Sequence, residues 1–304
     1  MVGLRYHVAS LAAVFVALAV GILLGVAVSG KLSDAEESIE QREREKLQQD
    51  LEDAQAALGS ADSRRKAAEE LVENAYPALI DRRLEDESFA VVFLGPVDGG
   101  VRSAVERTLA DADSGGAVRL VALDFPVRAL ELQNTLRGNE VLASFAGEAG
   151  DFGELGRELG EELVDGGEAP VWSALGAELI EERFGTSELE IDGVVVMASW
   201  QPTADDSDEA VERARATQTL ADGIVDGLES SGLPVVGVAT TSQPQSLTEL
   251  YREQGISSVD NLDSLTGRLA LALLLAQGEP GQYGIKDSAA DGVLPPIEPL
   301  PPPE

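Results

Sequence analysis

The sequence predicts an α/β protein, with an N-terminal single transmembrane helix and a coiled-coil stalk ahead of a mostly parallel sheet flanked by helices. Three regions carry this prediction: a long uncharged stretch, then charged helix formers, then short apolar runs alternating with amphipathic segments. We therefore divide the chain into four predicted segments. These are a transmembrane anchor (1–30), a coiled-coil stalk (31–80), an extracytoplasmic α/β domain (88–280) and a disordered, proline-rich acidic tail (281–304).

The predicted anchor is the uncharged, mostly apolar stretch Val8–Val28. A helix of that length rises about 30 Å, the thickness of a bilayer's hydrocarbon core. A cleaved secretory signal is the alternative, since Ala27–Ser29 offers small residues, but signal cores usually span about 7–15 residues. Arg5 precedes the stretch and acidic residues follow Lys31. This bias predicts a single pass through the cell membrane, with a cytoplasmic N-terminus and an extracytoplasmic bulk.

Small residues recur at every fourth position of this stretch. They are Ala9, Ala13, Ala17, Gly21, Gly25 and Ser29. A period of four places them along one helix face, where two backbones can approach closely in lipid. The pattern favours self-association of the helix, although alanine and glycine are also frequent in membrane helices for compositional reasons.

The predicted stalk continues as a helix with a thin apolar seam in alternating steps of four and three, the spacing of a coiled coil. The seam comprises Leu47, Leu51, Ala54, Leu58, Ala61, Arg65, Ala68, Val72 and Ala75. With the small-residue face, it predicts a homodimer or oligomer formed through the membrane helix and the stalk. A solitary solvated helix is the alternative.

Past Pro77, four continuously apolar runs predict the strands of the sheet: Phe89–Gly95, Val118–Asp124, Ile191–Ser199 and Pro234–Thr241. Uninterrupted apolar runs are typical of parallel strands with both faces covered. The intervening segments predict helices over 100–112, 151–164, 169–183, 207–231, 245–253 and 263–277. Strands alternating with helices indicate a helix-covered parallel sheet.

Charge and composition limit the function classes. The chain has 55 acidic and 22 basic residues, a formal net charge of -33, and no cysteine. Binding to nucleic acid is therefore disfavoured, and disulfides and thiolate chemistry are excluded. The predicted contacts are the membrane, cations, basic proteins or sugars. Salt adaptation explains the acid excess equally well.

The residues capable of catalysis are few. The single histidine, His7, precedes the anchor, so the head cannot form a Ser/His/Asp triad. The turn Gly95–Gly100 follows a strand and precedes a helix, but it lacks the pattern of a phosphate loop. We predict no enzymatic activity and no cofactor, with a carboxylate-based hydrolase as the one enzyme alternative left open.

Asp260, Asn261 and Asp263 form the candidate site. They precede a predicted helix, where such residues act as N-cap or first-turn residues. The alternative is that they line a cleft at the sheet edge and contact a cation. Both interpretations stay open at the level of sequence.

Two blocks of sequence carry a family resemblance. The opening "LRYHVASLAAVFVALAVGILLG" (Leu4–Gly25) and the late "SVDNLDSLTGRLALALLL", followed by "GQYG" (Gly281–Gly284), resemble the mycobacterial copper transport protein B (MctB) family of actinobacterial envelope proteins. The resemblance implies copper transport or homeostasis in the cell envelope.

The copper-binding chemistry of the chain is sparse. Copper(I) prefers thiolate and thioether ligands and copper(II) favours imidazole, yet beyond the anchor the only such side chain is Met197. We therefore predict no direct tight copper coordination. Relatives of similar architecture act in cell separation, which implies an alternative: a non-enzymatic coiled-coil scaffold that activates peptidoglycan hydrolases or other cell-envelope partners.

Overall fold

The computed structural model describes residues 3–147, 152–175, 179–185, 189–200 and 207–298, without the side chains of 3–9, 26–43 and 245–247. The chain divides into two compact units, Met1–Glu70 and Leu71–Glu304.

Helix α1 spans Gly3–Ile80, so the first unit contains this helix up to Glu70 and the second unit contains its remaining residues. The backbone shows no break at residue 30, where the sequence analysis separates anchor from stalk. Within the residues that the structure describes, none of the helices combines the length and the apolar character that a membrane span needs.

The second unit is built on a seven-stranded sheet in the order β3-β2-β1-β4-β5-β6-β7. Neighbouring strands are parallel except β2 and β3, which are antiparallel. The strands are β1 (Ser88–Leu94), β2 (Gly116–Leu123), β3 (Ile180–Gly185), β4 (Gly193–Ala198), β5 (Val235–Val238), β6 (Ser257–Val259) and β7 (Gln282–Tyr283). The chain order reverses between β1 and β4, which makes this a doubly wound sheet.

Helices cover both faces of the sheet, as continuously apolar strands require. Successive residues of β1 alternate between two buried clusters, so that Val92 joins the cluster that includes α4 and α6 while Val91 joins the one that includes α2 and α8. The helices are α2 (Gly99–Asp111), α3 (Ala129–Gly138), α4 (Gly153–Asp165), α5 (Pro170–Leu175), α6 (Asp208–Glu229), α7 (Gln245–Glu253) and α8 (Leu265–Leu275).

The predicted α/β class and all four predicted strands are confirmed. The predicted helix over 169–183 is wrong, because within the described part of this range the helix spans Pro170–Leu175 and Ile180–Gly185 forms the edge strand β3. Glu181, Glu182 and Arg183 are good helix formers, but pairing with the free edge of β2 overrides that weak preference.

The prediction of a disordered tail from residue 281 is wrong for residues 281–298, which we call the C-terminal strap. Its β7 pairs with β6, and the Ser288 hydroxyl lies buried against that of Thr248 at 2.7 Å. Arg83 donates to the carbonyl of Glu298 at 2.7 Å. Contacts with buried polar groups order a segment whose composition alone predicts disorder. Residues 299–304 lie outside the description.

Helices α4 and α6 pack through interlocked glycines. A Cβ added to Gly156 or Gly160 would lie 2.4 Å from a carbonyl oxygen of α6, and one added to Gly223 or Gly227 would lie 2.2 or 2.1 Å from a carbonyl oxygen of Gly153 or Arg157. The two backbones are therefore in direct contact, and any side chain at these positions would separate them.

Candidate functional site

The candidate site lies at the carboxyl ends of β1, β5 and β6, beside α2 and α8. Ligands of doubly wound sheets bind at this edge, because the loops that leave parallel strands converge there. The loop after β6 carries the three residues that the sequence singles out, and the C-terminal strap adds a fourth, Lys286.

Asp260 is a buried structural carboxylate with 1% of its surface exposed. Its two oxygens accept hydrogen bonds from the backbone N–H groups of Ile285 and Lys286 at 2.8 and 2.9 Å. Gly284 passes directly over it at φ +146°, and an added Cβ there would collide with the carboxylate. Asp260 therefore holds the strap against the sheet and does not open into a cleft.

Asn261 is fully buried and organises the start of α8. Its amide nitrogen donates to the hydroxyls of Ser264 and Thr266 at 2.9 and 3.1 Å. Ser264 caps the helix by accepting from the N–H of Gly267. The prediction that Asp260, Asn261 or Asp263 is the N-cap or a first-turn residue is therefore wrong, because all three precede the cap Ser264.

Asp263 lines a cavity beside α2 and α8. Its carboxylate accepts from the backbone N–H of Thr241 at 2.9 Å and from the Thr241 hydroxyl. Partial burial alone would raise the pKa of Asp263, but these bonds and the charge of Lys286 outweigh it and hold the pKa below the ordinary value. Asp263 is an ionised carboxylate that joins the β5 and β6 loops.

Lys286 is a site residue that was not predicted from the sequence, because it lies within the segment 281–304 that is predicted to be disordered. Its ammonium donates to the carbonyls of Thr240 and Gln243 at 2.7 and 2.9 Å. Partial burial lowers the pKa of Lys286, while the charges of Asp260 and Asp263 act in the opposite direction. The strap therefore fixes the loop that forms one wall of the cavity.

The cavity is a groove of about 370 Å³ between α2 and α8, which we call the α2–α8 groove. Charged and hydroxyl side chains dominate its lining: Asp98, Arg107, Thr240, Ser242, Asp263 and Arg268. Asp98 is also the N-cap of α2, where one oxygen accepts from the N–H groups of Gly100 and Val101. The turn before α2 is recognisable in the sequence as a candidate site, whereas neither arginine was predicted to belong to one.

A tyrosine–arginine–aspartate cluster borders the groove. The Arg268 guanidinium stacks over the Tyr76 ring, 5.2 Å from its centroid. Asp111 accepts from the Tyr76 hydroxyl at 2.9 Å and lies 3.4 Å from Arg268. Burial and the bond to Asp111 raise the pKa of Tyr76, which stays protonated. The cluster connects the end of α1 to α2 and α8.

The structure does not assemble the predicted residues into a metal centre. Asp260 binds the strap while Asp263 binds Thr241. Across the described ranges, no group of three or more His, Cys, Asp or Glu side chains is placed to hold a metal ion. Met197, whose thioether is a possible copper ligand, lies in β4 and is only 1% exposed.

The six predicted membrane-packing positions all lie on α1. The side chains of Ala9 and Ser29 are outside the description, whereas Ala13 and Ala17 are exposed. A Cβ added to Gly21 or Gly25 would meet no atom within 4 Å, so the small-residue face is open along this length.

Together, these features define an α/β protein with a long N-terminal helix and a charged groove at the carboxyl edge of a doubly wound sheet. A family model described as "Copper transport outer membrane protein, MctB" matches residues 1–295. The match covers nearly the whole chain, so the protein belongs to the MctB family. No curated protein matches the chain.

Proposed function

We propose that this protein is a non-enzymatic, membrane-anchored envelope protein in copper transport or homeostasis that does not itself coordinate copper tightly. The match of residues 1–295 to the MctB family carries the copper assignment. The available side chains support the absence of tight copper coordination, because the chain has no cysteine and Met197 is buried in the sheet. Any copper effect would then act through partner molecules or weak carboxylate contacts.

The anchor in this proposal is the uncharged stretch Val8–Val28, crossing the cell membrane once with the N-terminus in the cytoplasm. The described side chains of this stretch support it, because Leu11, Phe15 and Leu23 are 62–70% exposed and have no protein core to cover them. An apolar helix surface of this extent is stable in lipid. The family's description names the outer membrane, which is the alternative destination.

The oligomer in this proposal is a parallel coiled coil formed by α1 from two or more copies. Leu47, Leu51 and Leu58 are 57–70% exposed on a helix that is otherwise charged. They recur at coiled-coil spacing, so a second copy of α1 would bury them together.

A scaffold for cell-envelope partners such as peptidoglycan hydrolases is the second candidate. The burial of Asp260 beneath the strap favours it over a hydrolase that would use Asp260 and Asp263 as a carboxylate pair. A hydrolase needs carboxylates that can reach a substrate, whereas a scaffold needs only a presented surface.

The test of the copper proposal has two measurements. Cells that lack the gene should change their copper content and copper tolerance, and the full-length gene should restore both. The full chain in detergent should show no submicromolar binding of copper(II), or of copper(I) in the presence of a competing chelator. Unchanged copper content would refute the copper role, and tight saturable binding would refute the indirect mechanism.

Crosslinking in membranes tests the assembly. Replacing Gly21 and Gly25 with isoleucine should reduce crosslinked dimer if the small-residue face packs. Replacing Leu51 and Leu58 with serine should reduce it if the stalk packs. If neither pair of substitutions changes the yield of dimer, the proposed assembly is wrong.

A further inference from the structure

The α2–α8 groove differs in charge from the rest of the molecule. Its lining holds two carboxylates, Asp98 and Asp263, and two arginines, Arg107 and Arg268. The chain as a whole has a net charge of -33. A balanced set of charges around one cavity is therefore a local property of this site.

Arg107 supplies unused positive charge on one wall. Its Nε donates to the carbonyl of Ser103 in its own helix at 3.0 Å. Among the residues that the structure describes, no carboxylate forms an ion pair with Arg107, although acids outnumber bases in this chain. Arg268 is tied to Asp111 and Tyr76. Arginine side chains suit a carboxylate, because a guanidinium group can bind it through two parallel hydrogen bonds.

The carboxylates have acceptor capacity left. Asp98 uses one oxygen for the N–H groups of Gly100 and Val101, and an ionised carboxylate can accept about four hydrogen bonds. Asp263, which is held ionised, adds a second negative charge. The hydroxyls of Thr240 and Ser242 lie 3.1 Å apart beside it. This part of the lining suits an ammonium group.

Ligands with a single sign of charge fit the groove poorly. An anion would be repelled by the field of the whole chain, and a bare cation would leave the positive charge of Arg107 without a counter-charge in the groove. A molecule that carries both an ammonium and a carboxylate avoids both penalties. The volume of about 370 Å³ falls in the range of small-molecule pockets, roughly 300–1,000 Å³.

We propose that the α2–α8 groove binds a small zwitterion, an amino acid or short peptide with free ends, whose carboxylate meets Arg107 and Arg268 and whose ammonium meets Asp98 and Asp263. This site is independent of the copper proposal. Its failure would leave that proposal unchanged.

Calorimetry on the full chain in detergent tests the ligand class, with alanine, dialanine and trialanine as probes. At least one should bind saturably. Blocking its amine by acetylation, or its carboxylate by amidation, should each weaken binding at least tenfold. Absence of saturable binding by all three probes would overturn the proposal, and so would equal binding of the blocked forms.

Two variants assign the ends of the ligand. Arg107→Gln should weaken binding of the unblocked ligand at least tenfold. In this variant, amidation of the ligand's carboxylate should cause no further loss of affinity, whereas acetylation of its amine should still weaken binding. Asp98→Asn should do the reverse, and it preserves the α2 cap because asparagine caps as well as aspartate. Arg137→Gln, an exposed change at the end of α3, is the matched control. Loss of binding in this control as well, or the opposite pairing of effects, would refute the assignment.

Discussion

Two helix pairs on opposite faces of the same sheet are packed in different ways. Helices α4 and α6 meet backbone to backbone through glycines, whereas α2 and α8 are separated at one end by arginine and aspartate side chains around a groove. The sheet between them presents a continuous apolar surface to both. The comparison teaches that the side chains on the helices, rather than the sheet, decide which face is closed and which is open to a ligand.

The largest expected loss of stability is at the contact between α4 and α6. We expect Gly227→Ala to destabilise the fold by about 3 kcal/mol, because the new Cβ would lie 2.1 Å from the Arg157 carbonyl oxygen and force the helices apart. Chemical denaturation of the full chain measures it. Gly138→Ala in α3 is the control, since its Cβ meets nothing within 4 Å. Equal stability of the two variants would show that the glycine contact is unimportant.

The next effect concerns the strap that supports one wall of the groove. We expect Asp260→Asn to cost about 1.5–3 kcal/mol, since the amide keeps one oxygen acceptor and turns an NH2 donor towards the second backbone N–H group, so that one of the two hydrogen bonds is lost. Hydrogen exchange over residues 282–298 should speed up. Asp287→Asn, an exposed change in the same segment, should leave exchange unaltered. Unchanged protection in Asp260→Asn would contradict the role assigned to this carboxylate.

A smaller effect is expected at the cluster that borders the groove. Tyr76→Phe removes the hydroxyl that donates to Asp111 and keeps the ring under Arg268, so we expect a loss of about 1 kcal/mol. The readout is the free energy of unfolding. Arg107→Gln nearby should be close to neutral, because Arg107 makes no carboxylate contact in the described part of the chain. A larger loss in Arg107→Gln would reverse the ranking of these two residues.

The smallest effect concerns pH. The folded pKa of Asp263 is below the unfolded value, so its contribution to stability is present above the unfolded pKa and lost as pH falls through the folded one. Thr241→Val removes the hydroxyl donor and should raise the pKa of Asp263 towards its ordinary value. Carbon-detected titration of the side-chain carboxyl by NMR measures this, with Thr219→Val as a remote control. A pKa that does not rise would mean that Thr241 contributes little.

The sequence predicted the parts of the fold that depend on local composition. Continuous apolar runs identified β1, β2, β4 and β5. The short strands β6 and β7 were not predicted, because three and two residues are too few to show a periodic pattern. These strands form through pairing with their neighbours in the sheet. The edge strand β3 escaped because its residues favour a helix locally.

The candidate site was predicted only in part. Asp260, Asn261 and Asp263 do lie at the carboxyl edge, yet only Asp263 lines the groove. Arg107, Arg268 and Lys286 carried no signal, since an arginine on a helix or a lysine near a proline-rich segment is ordinarily a solvated surface residue.

Composition and periodicity alone establish the α/β class, the long N-terminal helix, the acidity of the chain and the lack of thiolate ligands. The folded structure was needed to show that α4 and α6 join through glycines, that the C-terminal strap is ordered, and that two arginines and two aspartates line one groove. These features depend on contacts between residues that are far apart in the chain. Burial and charge interactions arise from those contacts, so they cannot be derived from the order of the residues alone.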